Sequence, residues 1–464
     1  MGSRRPKISL VLCALLLLGC GGGAEQKQAA GALGDRPNVL LVTLDTTRAD
    51  RFSSYGYERP TTPSFDALAA DGALFEMALG VSGCTPPAHA SIMTGLYPYH
   101  HGLRVIFAGS GYRLNPALPS LATLLGGAGW ETGAFLSSFT VSEYFGFENG
   151  FSTWDNGMKQ TAKAVPKIRE ERMSWDVEHN QRRSDQTARK AAEWIRRRET
   201  PFYCWVHFWD PHDTKMVPPD DWIQSHAVRH PEIGEHAIYD LEIAYTDENF
   251  GQLIAALKES GQYDNTIIVV ISDHGQGLGD HDWPFHRLLF QEQIRLPFIL
   301  KAPGVAPGTR VNDLVRSVDL VPTLVELLDL DFDRSKLDGR SLRGLMSGES
   351  EAPRRAYAEQ LNGWDYNSFV TQKRPKDAFL YSIVTKDWKL IRRDDLPDES
   401  MLYRLSSDPH ELENLYGSED GAEARNRLQS WLEAADTYRR EPFTGETDTE
   451  AEEKLRSLGY LGGR

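Results

Sequence analysis

The chain has 464 residues, 25% of them charged, and a formal net charge of −15. Such a length suits one large α/β domain with a smaller one beside it, and the acidity excludes nucleic acid as a general partner while leaving room for a locally positive site. Beyond residue 20 the only cysteines are Cys84 and Cys204, which excludes a disulfide framework.

Arg4, Arg5 and Lys7 precede an apolar run from Ile8 to Leu18, the layout of a secretory signal over residues 1–20. The ending Leu17-Leu18-Gly19-Cys20 is similar to a bacterial lipobox, so Cys20 is the expected lipidated N-terminus and membrane anchor of an exported, cell-envelope protein. A plain cleaved signal or an uncleaved anchor is the alternative. Residues 21–36, rich in Gly, Ala and Gln, read as a flexible tether. A catalytic domain is expected over 37–355 and a subdomain over 356–464.

Asn38 to Leu44 is a continuous apolar, β-branched run, the pattern of a strand buried on both faces, and it ends in Asp45. Ligand sites of open parallel sheets lie at the carboxyl ends of strands, so Asp45 is a candidate ligand or base, with helix capping as the competing role. Arg48 and Asp50 are placed to pair in the following loop. A helix over Phe65–Ala70 and a strand over Ala73–Met77 lead to Cys84-Thr85-Pro86-Pro87-Ala88-His89-Ala90-Ser91. There Thr85 is the expected N-cap and Pro86 the first helical residue. The helix N–H groups and dipole would face an anion held over Thr85, with His89 one turn on along the same face. His100 and His101, at the far end, suit the C-terminal dipole better than a metal.

Helices over Leu118–Ala128, about Arg182–Arg198, Tyr239–Gly261 and Val315–Leu328 alternate with strands at Glu131–Leu136, Phe202–Trp209, Thr266–Ser272 and Leu296–Leu300. The second strong strand runs into Asp210-Pro211-His212-Asp213 and the third into Asp273-His274-Gly275. An acid directly after each of three strand-like runs points to a metal site. His281, His286 and Arg287 lie in the Gly-rich loop that follows. From Ala356 the pattern turns antiparallel, with strands at Phe379–Val384, Trp388–Ile391 and Met401–Leu405 and a closing helix over Ala422–Ala435. The predicted fold is α/β, a large mostly parallel sheet flanked by helices, with a smaller C-terminal antiparallel α+β subdomain.

Val39 to Asp50, Thr85 to Gly102, Trp209-Asp210-Pro211-His212, Ser272 to Gly275, Arg295-Leu296-Pro297 and Asp387 to Leu390 together resemble the sulfatase family of the alkaline phosphatase superfamily along nearly the whole folded length. The resemblance implies an exported, metal-dependent hydrolase of sulfate or phosphate esters. Sulfatases carry a Cys/Ser-x-Pro-x-Arg signature whose first residue is oxidised to formylglycine. Read from Cys84, the Arg position holds Ala88. Read from Thr85, Pro87 and His89 fall in place, and Ala90-Ser91 through Thr94-Gly95 stay in step with the family. This Thr-x-Pro-x-His pattern is similar to phosphodiesterases and phosphonate hydrolases, in which an unmodified threonine attacks. Thr85 is the expected nucleophile, with formylglycine at Cys84 as the alternative.

The resemblance further implies a divalent cation held by Asp45, Thr85, Asp273 and His274. Exchanging a carboxylate for an imidazole favours zinc or manganese over calcium. Asp210, His212 and His286 are then either ligands of a second ion or groups that contact the ester and protonate its leaving alcohol, while His89 steadies the equatorial oxygens. A small sulfate or phosphate ester is the expected partner. Head-group transfer to an alcohol and a catalytically silent sugar- or lipid-binding lipoprotein are the competing readings. Specificity is expected from residues 144–167, residues 216–231 and the C-terminal subdomain, and the sequence leaves the oligomeric state open.

Overall fold

Strand β1, Asn38–Leu44, is buried at every residue and forms the middle of the sheet. The other strands follow in chain order as β2 (Ala73–Leu79), β3 (Glu131–Leu136), β4 (Thr153–Asp155), β5 (Phe202–Phe208), β6 (Thr266–Ser272), β7 (Arg295–Leu296), β8 (Phe298–Lys301) and β9 (Thr309–Arg316). In space they run β4-β3-β5-β1-β6-β8-β2-β7, with β9 beside β2. From β4 to β6 every pairing is parallel, and β8 joins antiparallel to β6 and β2. Leu44 pairs with Phe208 on one side and Ser272 on the other, so the carboxyl ends of β1, β5 and β6 lie side by side.

The computed structural model describes residues 36–106, 113–157, 181–212, 216–229, 237–365 and 368–436. The signal, Cys20 and the tether up to residue 35 lie outside the described residues, as do residues 158–167 and 230–231 of the segments expected to set specificity. Among the described residues, no helix is long and apolar enough to cross a membrane.

Alternation along β1 divides the core. Val39 and Leu41 face a cluster with Ala90, Ile92, Leu320 and Leu324, whereas Leu40, Val42 and Leu44 face Phe65, Ala188, Ala191, Phe250 and Leu253. Helices cover both faces, which is why the strand is apolar throughout rather than at every second residue. Helix α1 (Pro63–Ala70) lies on the second face and α2 (Thr85–Thr94) on the first.

Several expectations change here. Residues 315–328 are not helical throughout: Thr309–Arg316 is β9, and only Leu320–Leu327 forms the helix. The reason is long-range, because β2 offers a partner, with Ala78 opposite Val315 and Leu79 opposite Arg316. Helix α2 ends at Gly95, whose φ of 71° lies in the left-handed region that glycine adopts without a Cβ penalty. His100 and His101 belong to a separate turn, Pro98–His101. His100 Nδ1 lies 2.7 Å from an Asp338 oxygen and His101 Nε2 3.0 Å from Ser91 Oγ, so partners rather than a helix dipole hold them.

Strands β10 (Ala356–Gln360), β11 (Leu380–Val384), β12 (Trp388–Arg393) and β13 (Met401–Arg404) make a second, antiparallel sheet in that order, and the helix Ala422–Asp436 packs on it. Strand β10 reaches back to the approach of α2. Glu359 N–H donates to Val81 O at 2.9 Å, and Arg104 grips the Glu359 carboxylate with two bonds of 2.7 Å.

Candidate active site

Helix α2 begins one residue earlier than expected. Cys84 is extended, with φ −139° and ψ 129°, and caps the helix, so Thr85 is its first residue. Pro86 and Pro87 therefore take the next two positions and carry no N–H, while Ala88 N–H bonds to Cys84 O at 3.1 Å. Of the helix's opening N–H groups, only that of Thr85 is left to face an anion, so the helix acts there chiefly through its dipole. Released from a capping role, the Thr85 hydroxyl lies 3.2 Å from His274 Nε2, and it acts to lower the pKa of the Asp45 and Asp273 carboxyls beside it.

Asp45, Asp273 and His274 are fully buried, and each offers a donor atom within 4.8 Å of the others. Thr46, with φ 45°, turns its N–H onto Asp273 Oδ1 at 3.1 Å, a strained backbone spent on aiming a carboxylate. His274 N–H bonds to the same oxygen at 2.7 Å. The other oxygen, Asp273 Oδ2, and Asp45 Oδ1 have no hydrogen-bond partner though buried. Burial, and for Asp45 next the charge of Asp273, pushes both carboxyls well above the usual carboxylate range. His274 Nδ1 lies 3.0 Å from Gly275 O, so Nδ1 carries the proton and the Nε2 lone pair faces Thr85. Two orphaned buried oxygens and an imidazole lone pair fit a divalent cation.

The remaining histidines take distinct places. His286 Nδ1–H donates to Gly83 O at 2.9 Å, and its ring stacks on His274 with centroids 4.8 Å apart. His212 stacks on Trp209 at 3.7 Å, with its ring 5.2 Å from that of His286. His286 thus stands between His274 and His212. Burial lowers His212 and His286 well below the ordinary imidazole value, with the neighbouring histidines and Arg287 adding to it.

Two of the expected site residues have partners away from the carboxylate pair. Asp210 does not join the carboxylate pair; its oxygens take the Ser184 N–H at 2.9 and 3.1 Å and the Ser184 hydroxyl at 2.9 Å, fixing the start of the helix Ser184–Ile195. His89 turns both ring nitrogens to other protein groups. Its Nδ1 lies 3.0 Å from Thr85 O and 3.4 Å from Asp273 Oδ2, and its Nε2 3.1 Å from Thr43 Oγ1, which also accepts the Trp205 indole N–H at 3.0 Å. With both nitrogens committed and burial lowering its pKa to about 3, it is a neutral brace between α2 and β1.

His207 is a site residue the sequence reading passed over. It lies on β5 opposite Thr43, fully buried, with Nε2 3.4 Å from Asp45 Oδ2. A lone ionisable residue in a strand buried on both faces was the available signal. His281 is outside this cluster, 3.2 Å from Glu292 Oε1 and 3.2 Å from Glu411 O. Cys84 is buried and its thiol is pushed up to about 12, mainly by desolvation.

A helix-borne hydroxyl set against two acids and a histidine at adjacent parallel strand ends defines a hydrolase of the alkaline phosphatase superfamily. Within it the chain belongs to the sulfatase family: the family model described as Sulfatase matches residues 37–330, and that described as N-sulphoglucosamine sulphohydrolase, C-terminal, matches residues 279–437. The N-acetylglucosamine-6-O-sulfatase of Bacteroides thetaiotaomicron is 23% identical over 93% of this chain and 91% of its own length. An arylsulfatase of Clostridium perfringens is 24% identical, covering 86% and 94% respectively. The solved phosphonate monoester hydrolase of Agrobacterium radiobacter has a TM-score of 0.66 at 24% identity, over 87% of this chain and 96% of that one.

Proposed function

We propose that the chain hydrolyses small sulfate or phosphate esters through a covalent ester on Thr85. One observation carries this reading: the Thr85 hydroxyl stands at the tip of α2, 3.2 Å from the His274 Nε2 that clusters with the buried Asp45 and Asp273 carboxylates. A divalent cation on Asp45, Asp273, His274 and Thr85, with zinc or manganese suited to these donors, would supply Lewis-acid polarisation and a lower hydroxyl pKa. Asp45 and Asp273 orient the hydroxyl, and His89 keeps α2 and Asp273 in register. Attack forms a bond from Thr85 Oγ to sulfur or phosphorus and breaks the bond to the leaving alcohol. The proton that the Thr85 hydroxyl loses is taken up at Nε2 of the neutral His286, whose Nδ1–H is held by Gly83 O, and passes from there to the leaving alcohol, with His212 beside it. His286, neutral again, then takes a proton from the attacking water and returns it to Thr85 Oγ as the Thr85 ester is cleaved.

The named relatives support a sulfated small molecule as substrate. Phosphodiester or phosphonate hydrolysis is the second reading, favoured by the imidazole of His274 and the unmodified-threonine pattern Thr85-x-Pro87-x-His89. The signal and lipobox support an envelope enzyme anchored through Cys20. Thr85→Ala should cut turnover of p-nitrophenyl sulfate and bis-p-nitrophenyl phosphate by at least ~10⁴-fold while metal content is kept. A fully active alanine variant refutes the reading, and the better of the two substrates identifies the ester.

A further inference from the structure

Residues 275–285 join His274 to His286, so the loop between them sets how those two rings meet. It folds back on itself, with Gly277 N–H donating to Phe285 O at 2.9 Å and Gly279 N–H to Trp283 O at 3.1 Å. Toward its tip Leu278, His281 and Asp282 have φ of 52°, 53° and 55°, left-handed values that non-glycine residues rarely adopt and that persist only where surrounding contacts hold them. Arg48 Nη1 makes one set of such contacts, donating to Gln276 O and Gly277 O at 3.2 Å and to Asp280 Oδ2 at 2.8 Å. His281 makes another. Its Nδ1 lies 3.2 Å from Glu292 Oε1 and its Nε2 3.2 Å from Glu411 O, while its ring stacks on Phe290 at 3.7 Å. A carboxylate and a carbonyl only accept, and a neutral imidazole has a single N–H, so both contacts are hydrogen bonds only when the ring is an imidazolium. Glu411 is itself fixed: Oε2 accepts the Gln291 N–H at 2.6 Å, and Oε1 lies 2.7 Å from Lys389 Nζ on β12.

We propose that His281 is a positioning residue whose protonated ring fastens the 275–285 loop to the C-terminal subdomain, keeping His286 in place while His281 is charged and loosening it when the proton leaves. The proposal rests on the reading of His286 as the relay that protonates the leaving alcohol. Burial by itself would lower the His281 pKa, but the hydrogen bond and charge of Glu292, and then Glu411, raise it above the ordinary 6.5. The fastening is therefore complete below that raised value and is lost as pH rises through it. The other charged groups around the ring have their own partners or face water. Arg374 Nη1 donates to His281 O at 2.8 Å with its Nε on Asp377 Oδ2 at 2.6 Å, Asp280 pairs with Arg48, and Asp282 and His410 are exposed. Tyr403 on β13, its ring 6.2 Å from that of Phe290, is kept neutral by burial, which pushes its hydroxyl up.

The test uses the whole chain with zinc bound and follows kcat and KM for the better of p-nitrophenyl sulfate and bis-p-nitrophenyl phosphate from about pH 6 to about pH 9.5, beside amide hydrogen exchange expressed as protection factors. Wild-type kcat should fall about tenfold across a one-proton step with KM little changed, as a displaced proton relay requires. Protection of the Gly277, Leu278 and Gly279 amides should fall about tenfold with the same midpoint. His281→Gln, which has no proton to lose, should show the low kcat at every pH and no step. Glu292→Gln should move both steps to lower pH by about one unit, and it decides the matter if His281→Gln does not fold. A wild-type kcat without the step, a step of unchanged size and midpoint in either variant, or protection that stays level across it would overturn the role of His281 and leave the Thr85 chemistry standing. Should the wild type hydrolyse neither ester, the proposed function falls, and the protection factors still decide whether His281 fastens the loop.

Discussion

Replacing Asp45 with asparagine should make the metal-stripped protein more stable while removing its response to metal. Asp45 and Asp273 are both fully buried, with donor oxygens within 4.8 Å. At that spacing and an effective dielectric of about 20, two full charges repel by about 3.5 kcal/mol. Desolvation and then Asp273 hold the Asp45 carboxyl well above its ordinary value of 3.8. The native state therefore binds more protons than the unfolded chain above that value, and its stability falls as pH rises through it. Asparagine removes the loss. In EDTA at neutral pH the variant should gain ~2–3 kcal/mol over wild type, with the gap closing toward pH 4. Zinc or manganese at about a hundredfold excess over Kd should raise the wild type by ~2.7 kcal/mol and leave the variant nearly unmoved. Urea melts followed by circular dichroism, across pH and with EDTA or metal, read both effects. A variant less stable than wild type in EDTA, or one stabilised by metal as much as wild type, refutes the view that these acids are a like-charge pair shaped for a cation.

His207→Gln should weaken metal affinity about 10- to 100-fold in a chelator competition, because Nε2 supports Asp45 from 3.4 Å; unchanged affinity would put His207 outside the site's machinery. Cys84→Ala should stay within about threefold of wild-type activity, since a buried thiol pushed up to about 12 is inert, and the peptide should have the mass of plain cysteine. Loss of activity together with the mass of an aldehyde would move the nucleophile to residue 84. His101→Gln should blunt acid sensitivity. Burial lowers His101 from 6.5 to about 3, so between those values only the unfolded chain takes up the proton. That costs the wild type ~2 kcal/mol at pH 5, which urea midpoints at pH 7 and pH 5 compare; equal acid sensitivity in both proteins would count against it.

The strands that carry the site were readable because their signal is local. A run buried on both faces is apolar throughout, and an acid at its end is conspicuous, which is how Asp45 and Asp273 came forward, with Thr85 marked by the proline-led helix start. The same logic misplaced Asp210, since the pattern is identical whether the carboxylate turns inward or back onto Ser184. It also passed over His207, hidden in an aromatic strand, and began the helix at Val315, inside the end of β9, because the partner β2 lies more than two hundred residues away in sequence.

Chain order alone therefore specified that strand ends would present acids, histidines and a hydroxyl, because hydrophobic period and turn residues act over a few neighbours. Which of those groups meet, which nitrogens of His89 and His274 are already committed, and that His281 is held between Glu292 and Glu411 depended on packing between remote segments. Burial then set the proton affinities, because a charge's surroundings belong to the folded molecule and not to its neighbours in sequence.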